Sequence, residues 1–142
     1  MSSAYIEAFS HATEDLNKVS KAMLNLLPPE LRGKVEVSYE AVKGHYDNQI
    51  VILRTELKGE DAECFIKYIA SSMSEVDKAI LRATLDLRME ESRSLYLRLD
   101  KGAAYAGKFK LVDRGEAIKV KLTLTLPRGR SLRSYLSEVG LA

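Results

Sequence analysis

The chain is poor in the residues from which catalytic and metal centres are usually assembled. It has one cysteine, Cys64, two histidines, His11 and His45, and no tryptophan. A single thiol excludes an internal disulfide, and a thiolate- or histidine-rich zinc site has too few ligands. The glycines stand apart from one another and no G-x-x-x-x-G-K-[ST] run occurs, so a phosphate-cradling loop of that type is excluded. No apolar run approaches the ~20 residues of a membrane span. The first residues, Met1 to His11, lack the basic start and apolar middle of a secretory signal. The carboxylate pairs Glu14 with Asp15 and Glu60 with Asp61 fall at expected helix starts, where the helix dipole accounts for them. The expectation is a cytoplasmic protein with no membrane partner, cofactor, metal site or catalytic residue.

What is there is a soluble globular composition, 46% hydrophobic and 30% charged over 142 residues, a length that suits one domain spanning 1–142. The net charge of +2 hides an asymmetry. Residues 1–97 carry 12 basic and 16 acidic side chains, whereas 98–142 carry 10 and 4. A basic last third suggests a surface facing a polyanion, with a merely solvated basic edge as the alternative.

Apolar periodicity outlines the elements. Ala4 to Ser10 reads as a strand, and Thr13 with Glu14 and Asp15 opens a helix whose inner residues are Leu16, Val19, Met23, Leu26 and Leu27. Pro28 and Pro29 end it. Strand alternation follows over Val35 to Ala41 and Ile50 to Leu57, joined by the loop Lys43 to Gln49. Gly59 precedes a helix with Ala62, Phe65, Ile66 and Ile69 inward, and Cys64 lies close to that stripe. Ser74 and Asp77 have the spacing of a capping pair for a helix ending near Glu91, with Val76, Ile80, Ala83 and Leu87 as its inner face. Leu95, Leu97 and Leu99 mark a fourth strand, Gly102 to Ala104 a turn, and Phe109 with Leu111 one arm of a hairpin returning over Ile118 to Leu126. Residues 127–142 form a helical tail, Leu132 to Val139, capped by Ser131 and stopped by Gly140. The fold class is α+β, a largely antiparallel sheet with helices packed on one face.

The hairpin carries the strongest functional signal. Alternation puts Lys108, Lys110, Lys119 and Lys121 on one face, opposite the apolar residues, with Lys110 across from Lys119 and Lys108 from Lys121. Like charges held this way are relieved by a bound polyanion. Tyr96, Arg98 and Arg54 join the same face if their strands lie in the same sheet, giving a basic surface with an aromatic able to stack on a base. The alternative is that exposed lysines simply discourage edge pairing. In the loop, Lys43, His45, Tyr46 and Asn48 offer phosphate donors and a stacking ring, and His11 either joins them or closes the first helix. The tail offers Arg128, Arg130 and Arg133 at a helix N-terminus, a candidate anion site or a solvated end.

His11-Ala12-Thr13-Glu14-Asp15, Gly44-His45-Tyr46-Asp47-Asn48-Gln49-Ile50, and Leu95-Tyr96-Leu97-Arg98-Leu99-Asp100-Lys101 with Ala103, Ala104 and Gly107 together resemble a family of small archaeal proteins described as predicted RNA-binding proteins with an exosome connection. The resemblance runs from about residue 4 to 126, with Asp47, Gln49 and Gly102 as departures from the family pattern. It implies a fold similar to that of the ribosomal protein that binds five-S RNA, and RNA binding without catalysis, with Lys101 joining the basic candidates. The expected partner is structured RNA, with the RNA-processing exosome as a further partner. The competing reading is a protein interaction or homo-dimer module, because Ile50 and Ile52 fall on the face away from the core unless the C-terminal helix covers them.

Overall fold

The computed structural model describes residues 2–44, 48–91 and 93–141. The elements run β1 (Ser3–His11), α1 (Leu16–Asn25), β2 (Ser38–Lys43), β3 (Gln49–Lys58), α2 (Glu60–Ser72), α3 (Glu75–Ala83), α4 (Leu85–Arg88), β4 (Met89–Glu90), β5 (Ser94–Asp100), α5 (Lys101–Tyr105), β6 (Ala117–Thr123) and α6 (Leu132–Val139). The strands form one antiparallel sheet in the order β2-β3-β1-β6-β5-β4. Alternation sends Ala4, Ile6 and Ala8 of β1, Leu53 and Leu57 of β3, Leu95, Leu97 and Leu99 of β5, and Ile118, Val120 and Leu122 of β6 to one face, all buried. Helices α1 and α2 cover that face with Val19, Met23, Phe65, Ile66 and Ile69. Each fully buried leucine, isoleucine or phenylalanine contributes about 1.5–3 kcal/mol. Among the described residues, no helix packs over the other face. Helix α6 packs against α2, with Leu132 and Leu136 buried.

The first helix begins two residues later than expected. Asp15 is its N-cap, accepting the Asn17 N–H at 2.9 Å, while the Glu14 carboxylate accepts the His11 N–H at 3.0 Å. Strand β2 also starts later and is an exposed edge. Tyr39 lies on the helical side as alternation expects, opposite Leu53 and with its hydroxyl 3.3 Å from Ser20 Oγ of α1, but it is half exposed because β2 is the sheet edge. The segment expected as a turn after β5 is the short helix α5, whose start is capped by Asp100 accepting the Ala103 N–H at 2.8 Å.

Helix α3 has the expected Ser74 cap and an inner face rotated by one residue from the expected one. Val76 and Leu87 are 70% and 86% exposed, whereas Leu81 and Leu85 are buried. Two apolar stripes one residue out of phase occur on this helix, and its polar residues choose between them. Asp77 Oδ2 accepts the Leu111 N–H at 3.0 Å, and Arg88 donates to Thr84 Oγ1 at 2.9 Å and to Asp113 at 2.8 Å. Those anchors hold the Leu81 side of α3 and α4 against 111–113.

The expected hairpin is not formed. Leu111 bridges Leu99, Asp100 donates its N–H to Lys110 O at 2.8 Å, and the Val112 N–H donates to Arg98 O at 2.9 Å. Residues 110–112 thus line the side of β5 away from β6, and 113–116 cross to the other side before β6 begins. The short helix α5 causes this. It turns the chain back along the side of β5 that β4 leaves open, since β4 pairs only with Ser94 and Leu95.

At the same end of the sheet Lys101 is 8% exposed. Its ammonium donates to Phe9 O at 2.7 Å, to both Glu14 oxygens at 3.1 Å and to Glu116 Oε2 at 3.2 Å. One cation therefore ties the end of β1, the approach to α1, the β5–α5 joint and the approach to β6. Burial alone would push the Glu14 carboxyl up, but the His11 N–H and the Lys101 ammonium outweigh it and hold it below the ordinary carboxylate range.

Three outcomes follow from these packing details. Leu81→Ala should cost about 2–5 kcal/mol in denaturant unfolding and Leu87→Ala no more than about 0.5; the reverse order would restore the other helix phase. A carboxyl held low in the folded state stabilises above its unfolded pKa, and that contribution is lost as pH falls through the folded value. Glu14→Gln should therefore flatten the acid limb of the stability–pH curve. Lys101→Met should cost about 1–3 kcal/mol at neutral pH by leaving the partly buried Phe9 O and Glu14 carboxylate without their donor.

Candidate nucleic-acid interface

The uncovered sheet face is built from the odd residues of β1 and β6 and the even residues of β3 and β5. The register sets Tyr5, Lys121 and Tyr96 in one cross-strand row and Glu7, Lys119 and Arg98 in the next. On the far side of β1, Arg54 lies opposite Glu7 and Ile52 opposite Phe9. The Lys119 ammonium sits 5.4 Å from the Phe9 ring centre, and the Lys121 ammonium 5.4 Å from that of Tyr96. Both are within cation–π range. Tyr96 is 37% exposed, and its hydroxyl donates to Glu90 at 2.8 Å, which fixes the ring over β5.

Charge is distributed unevenly across this face. The Arg54 guanidinium donates to Glu40 at 2.7 Å and to Glu7 at 3.2 Å, and Glu7 also accepts the Tyr5 hydroxyl at 2.9 Å. The hydrogen bonds to Glu40 and then Glu7 hold Arg54 still more firmly protonated than usual. Burial, then the bond to Glu7, raises the Tyr5 phenol. On the β6 side Lys121 is raised mainly by its contact with Tyr96. The β3 half is internally neutralised; on the β6–β5 half Lys119 lies opposite Glu7 and over the Phe9 ring, and Lys121 lies over the Tyr96 ring with Glu90 nearby.

The structure gathers five of the expected residues, Lys119, Lys121, Tyr96, Arg98 and Arg54, on one face, and separates the rest. Lys108 and Lys110 precede the crossing and lie beyond β5, so neither opposes Lys121 or Lys119. Lys101 is the buried clamp, its hydrogens directed at internal acceptors rather than at an open surface. Arg98 is partly enclosed: its Nη2 donates to Gly115 O at 3.3 Å and its Nε is buried without a partner. Lys43 is exposed at the end of the edge strand, and Asn48 O accepts the Gly44 N–H at 2.6 Å. His45 and Tyr46 lie outside the described residues. His11 Nε2 is 2.9 Å from Glu116 Oε1, outside hydrogen-bonding alignment.

The tail arginines do not form an open anion site. Arg130 pairs with Glu138 and lies over the Tyr135 ring at 5.6 Å, and Arg133 donates to Asp86 at 2.8 Å. Internal carboxylates already supply the negative charge that the start of α6 would otherwise seek, leaving Arg128 exposed. Tyr5 and Phe9 also lie on this face and are not singled out by the sequence, where they alternate with the apolar Ile6 and Ala8 at outward positions of β1.

Other chemistry is disfavoured on the same grounds. Burial and the Glu30 carboxylate, 3.6 Å from the sulfur, raise the Cys64 thiol and oppose its thiolate. Among the described residues, His11, Glu14 and Glu116 bring potential metal ligands within 4.8 Å of one another. The Lys101 ammonium already donates to both carboxylates, so a metal ion would have to displace it.

Comparison with known proteins places the chain in a family. The sequence matches the family described as RNA binding over residues 3–124. It is 31% identical over 142 residues to an uncharacterized protein of Methanocaldococcus jannaschii, covering 98% of this chain and 95% of that one. It is 30% identical over 120 residues to an RNA-binding protein of Pyrococcus abyssi, covering 82% of this chain and 77% of that one. The crystal structure of a protein from Archaeoglobus fulgidus superposes with a TM-score of 0.80 at 31% identity, over 96% of this chain and 97% of the other. The chain belongs to this RNA-binding family.

Proposed function

We propose that the protein binds RNA on the open face of its sheet, with β6 as the contact strand, and performs no chemistry on it. The observation that carries this reading is the pairing of Lys119 with Phe9 and Lys121 with Tyr96. Each pair offers a ring face to a base and a cation to a neighbouring phosphate. Base–aromatic stacking contributes about 1–3 kcal/mol per base and is available only to unpaired bases, so structured RNA with loops or bulges is the preferred partner. Membership of an RNA-binding family supports the same reading. In this reading the protein holds RNA for a separate enzyme. The resemblance to a family with a suggested exosome connection supports a cytoplasmic accessory role in RNA processing or degradation.

One observation favours a second reading, self-association. Val42, Ile50, Ile52 and Phe9 form a partly exposed apolar corner of the open face, and α6 lies on the helical side of the sheet. If this corner joins two copies, Ile52→Lys should convert a dimer to a monomer in sedimentation. A wild-type chain that stays monomeric at all concentrations removes the reading.

For RNA, affinity should fall linearly in log–log terms with salt as lysine–phosphate contacts release counterions. Lys119→Ala with Lys121→Ala should flatten that slope by about 1.4–1.8, at about 0.7–0.9 per contact. Tyr96→Ala should weaken looped RNA more than duplex. An unchanged slope in a folded double variant would sink the assignment of β6.

A further inference from the structure

Helix α1, helix α5 and the crossing segment 114–116 enclose a cleft of about 570 Å³. That volume falls within the roughly 300–1,000 Å³ typical of small-molecule sites. It opens beside the sheet platform, because Glu116 directly precedes β6 and Asp100 ends β5. Its apolar floor is Val19 and Ala22, both buried, and one wall is Tyr105, 43% exposed. Lys18 and Arg114 stand exposed in its lining.

The polar inventory selects the occupant. Glu14 gives both oxygens to Lys101, and Glu116 gives Oε2 to Lys101 while its Oε1 lies 2.9 Å from His11 Nε2. Asp15 and Asp100 each give one oxygen, Oδ1 and Oδ2 respectively, to a backbone N–H at a helix start. Their second oxygens are the acceptors left for a ligand. A phosphate placed between two carboxylates would be repelled, whereas hydroxyl and amino donors would be accepted. An aromatic wall, an apolar floor, two carboxylate acceptors and flanking cations match a base and its ribose, with phosphates remaining outside near Lys18 and Arg114.

We propose that this cleft seats one unpaired nucleoside of the bound RNA, its base against Tyr105 and its ribose hydroxyls on Asp15 and Asp100. The proposal rests on the RNA-binding reading and adds a site for a single residue at one end of the platform. It also gives a basis for choosing RNA over DNA, since the 2′-hydroxyl is a donor that deoxyribose lacks.

The test uses the full chain labelled with nitrogen-15 and a short single-stranded oligoribonucleotide, its deoxy counterpart, adenosine, guanosine and inorganic phosphate. The Gly102 and Gly115 amides report the cleft, and those of Lys119 and Lys121 report the platform. Oligoribonucleotide should shift both sets. At least one free nucleoside should shift the cleft set alone, phosphate should leave it unmoved, and deoxyoligonucleotide should shift it less. Tyr105→Ala should weaken the cleft response about tenfold or more, as expected for losing one base–aromatic stack. Asp15→Asn, which keeps a capping oxygen, should reduce the preference for ribose. If oligoribonucleotide moves the platform amides and no probe moves Gly102 or Gly115, the cleft proposal fails and the platform reading stands. Phosphate alone moving the cleft set, or an unaltered response in folded Tyr105→Ala, would also overturn it. If neither set moves with oligoribonucleotide, both readings fail.

Discussion

The Lys101 ammonium is the contact on which the geometry at one end of the sheet depends. It links β1 through Phe9 O, the approach to α1 through Glu14, and the approach to β6 through Glu116. Removing a cation from water is costly, and the cost is offset only when its donors are met by well-placed acceptors. Here the partners are a backbone carbonyl and two carboxylates, and both carboxylates retain contact with solvent. Because those partners are far apart in sequence, the clamp fixes long-range geometry that no single helix or strand could impose. Phe9 is held both by its carbonyl, through the clamp, and by Lys119 over its ring. The same interaction thus shapes the cleft and steadies one ring of the platform.

The platform follows from a division of labour within β1 and β6. Each strand gives one side to the core and the other to solvent, so the inner residues can be aliphatic without constraining the outer ones. Rings at outer positions of a half-covered sheet would ordinarily favour association. Lysines beside Phe9 and Tyr96 change that by capping each ring with a hydrated cation. Such a ring remains compatible with water, and in the proposed RNA reading a base reaches it when the lysine turns to a phosphate.

Much of the fold was legible in the sequence because it rests on local pattern. Helix α6 has the expected limits, its Ser131 cap and its Gly140 stop, with Gly140 at φ 86° in the left-handed region. Helix α2 buries the expected Ala62, Phe65, Ile66 and Ile69. The interface strands also obeyed alternation, which is why Lys119, Lys121, Tyr96, Arg98 and Arg54 share a face. What pattern alone could not supply was information carried by distant partners. The phase of α3 depends on Asp77 meeting Leu111 and Arg88 meeting Asp113. Lys101 looked like another surface lysine because its acceptors come from positions 9, 14 and 116. The misplacement of Lys108 and Lys110 has a related cause: adjacent alternating segments resemble a hairpin, and only the returning path of α5 puts β5 between them.

The same long-range information changes how charge should be read. By sequence, the basic excess lies in the last third of the chain, yet its members have very different freedom. Arg130 and Arg133 are taken by Glu138 and Asp86, and Lys101 is internal. Arg54, from the acidic part of the chain, reaches the face but arrives between Glu7 and Glu40. Lys119 and Lys121 differ because their ammonium groups lie over the Phe9 and Tyr96 rings, although Glu7 faces Lys119 across the ladder. Net charge attracts a polyanion to a molecule without saying where it settles. On this sheet the difference lies in which cations are already bonded to carboxylates: Arg54 is, through Glu7 and Glu40, whereas among the described residues Lys119 and Lys121 form no such bond.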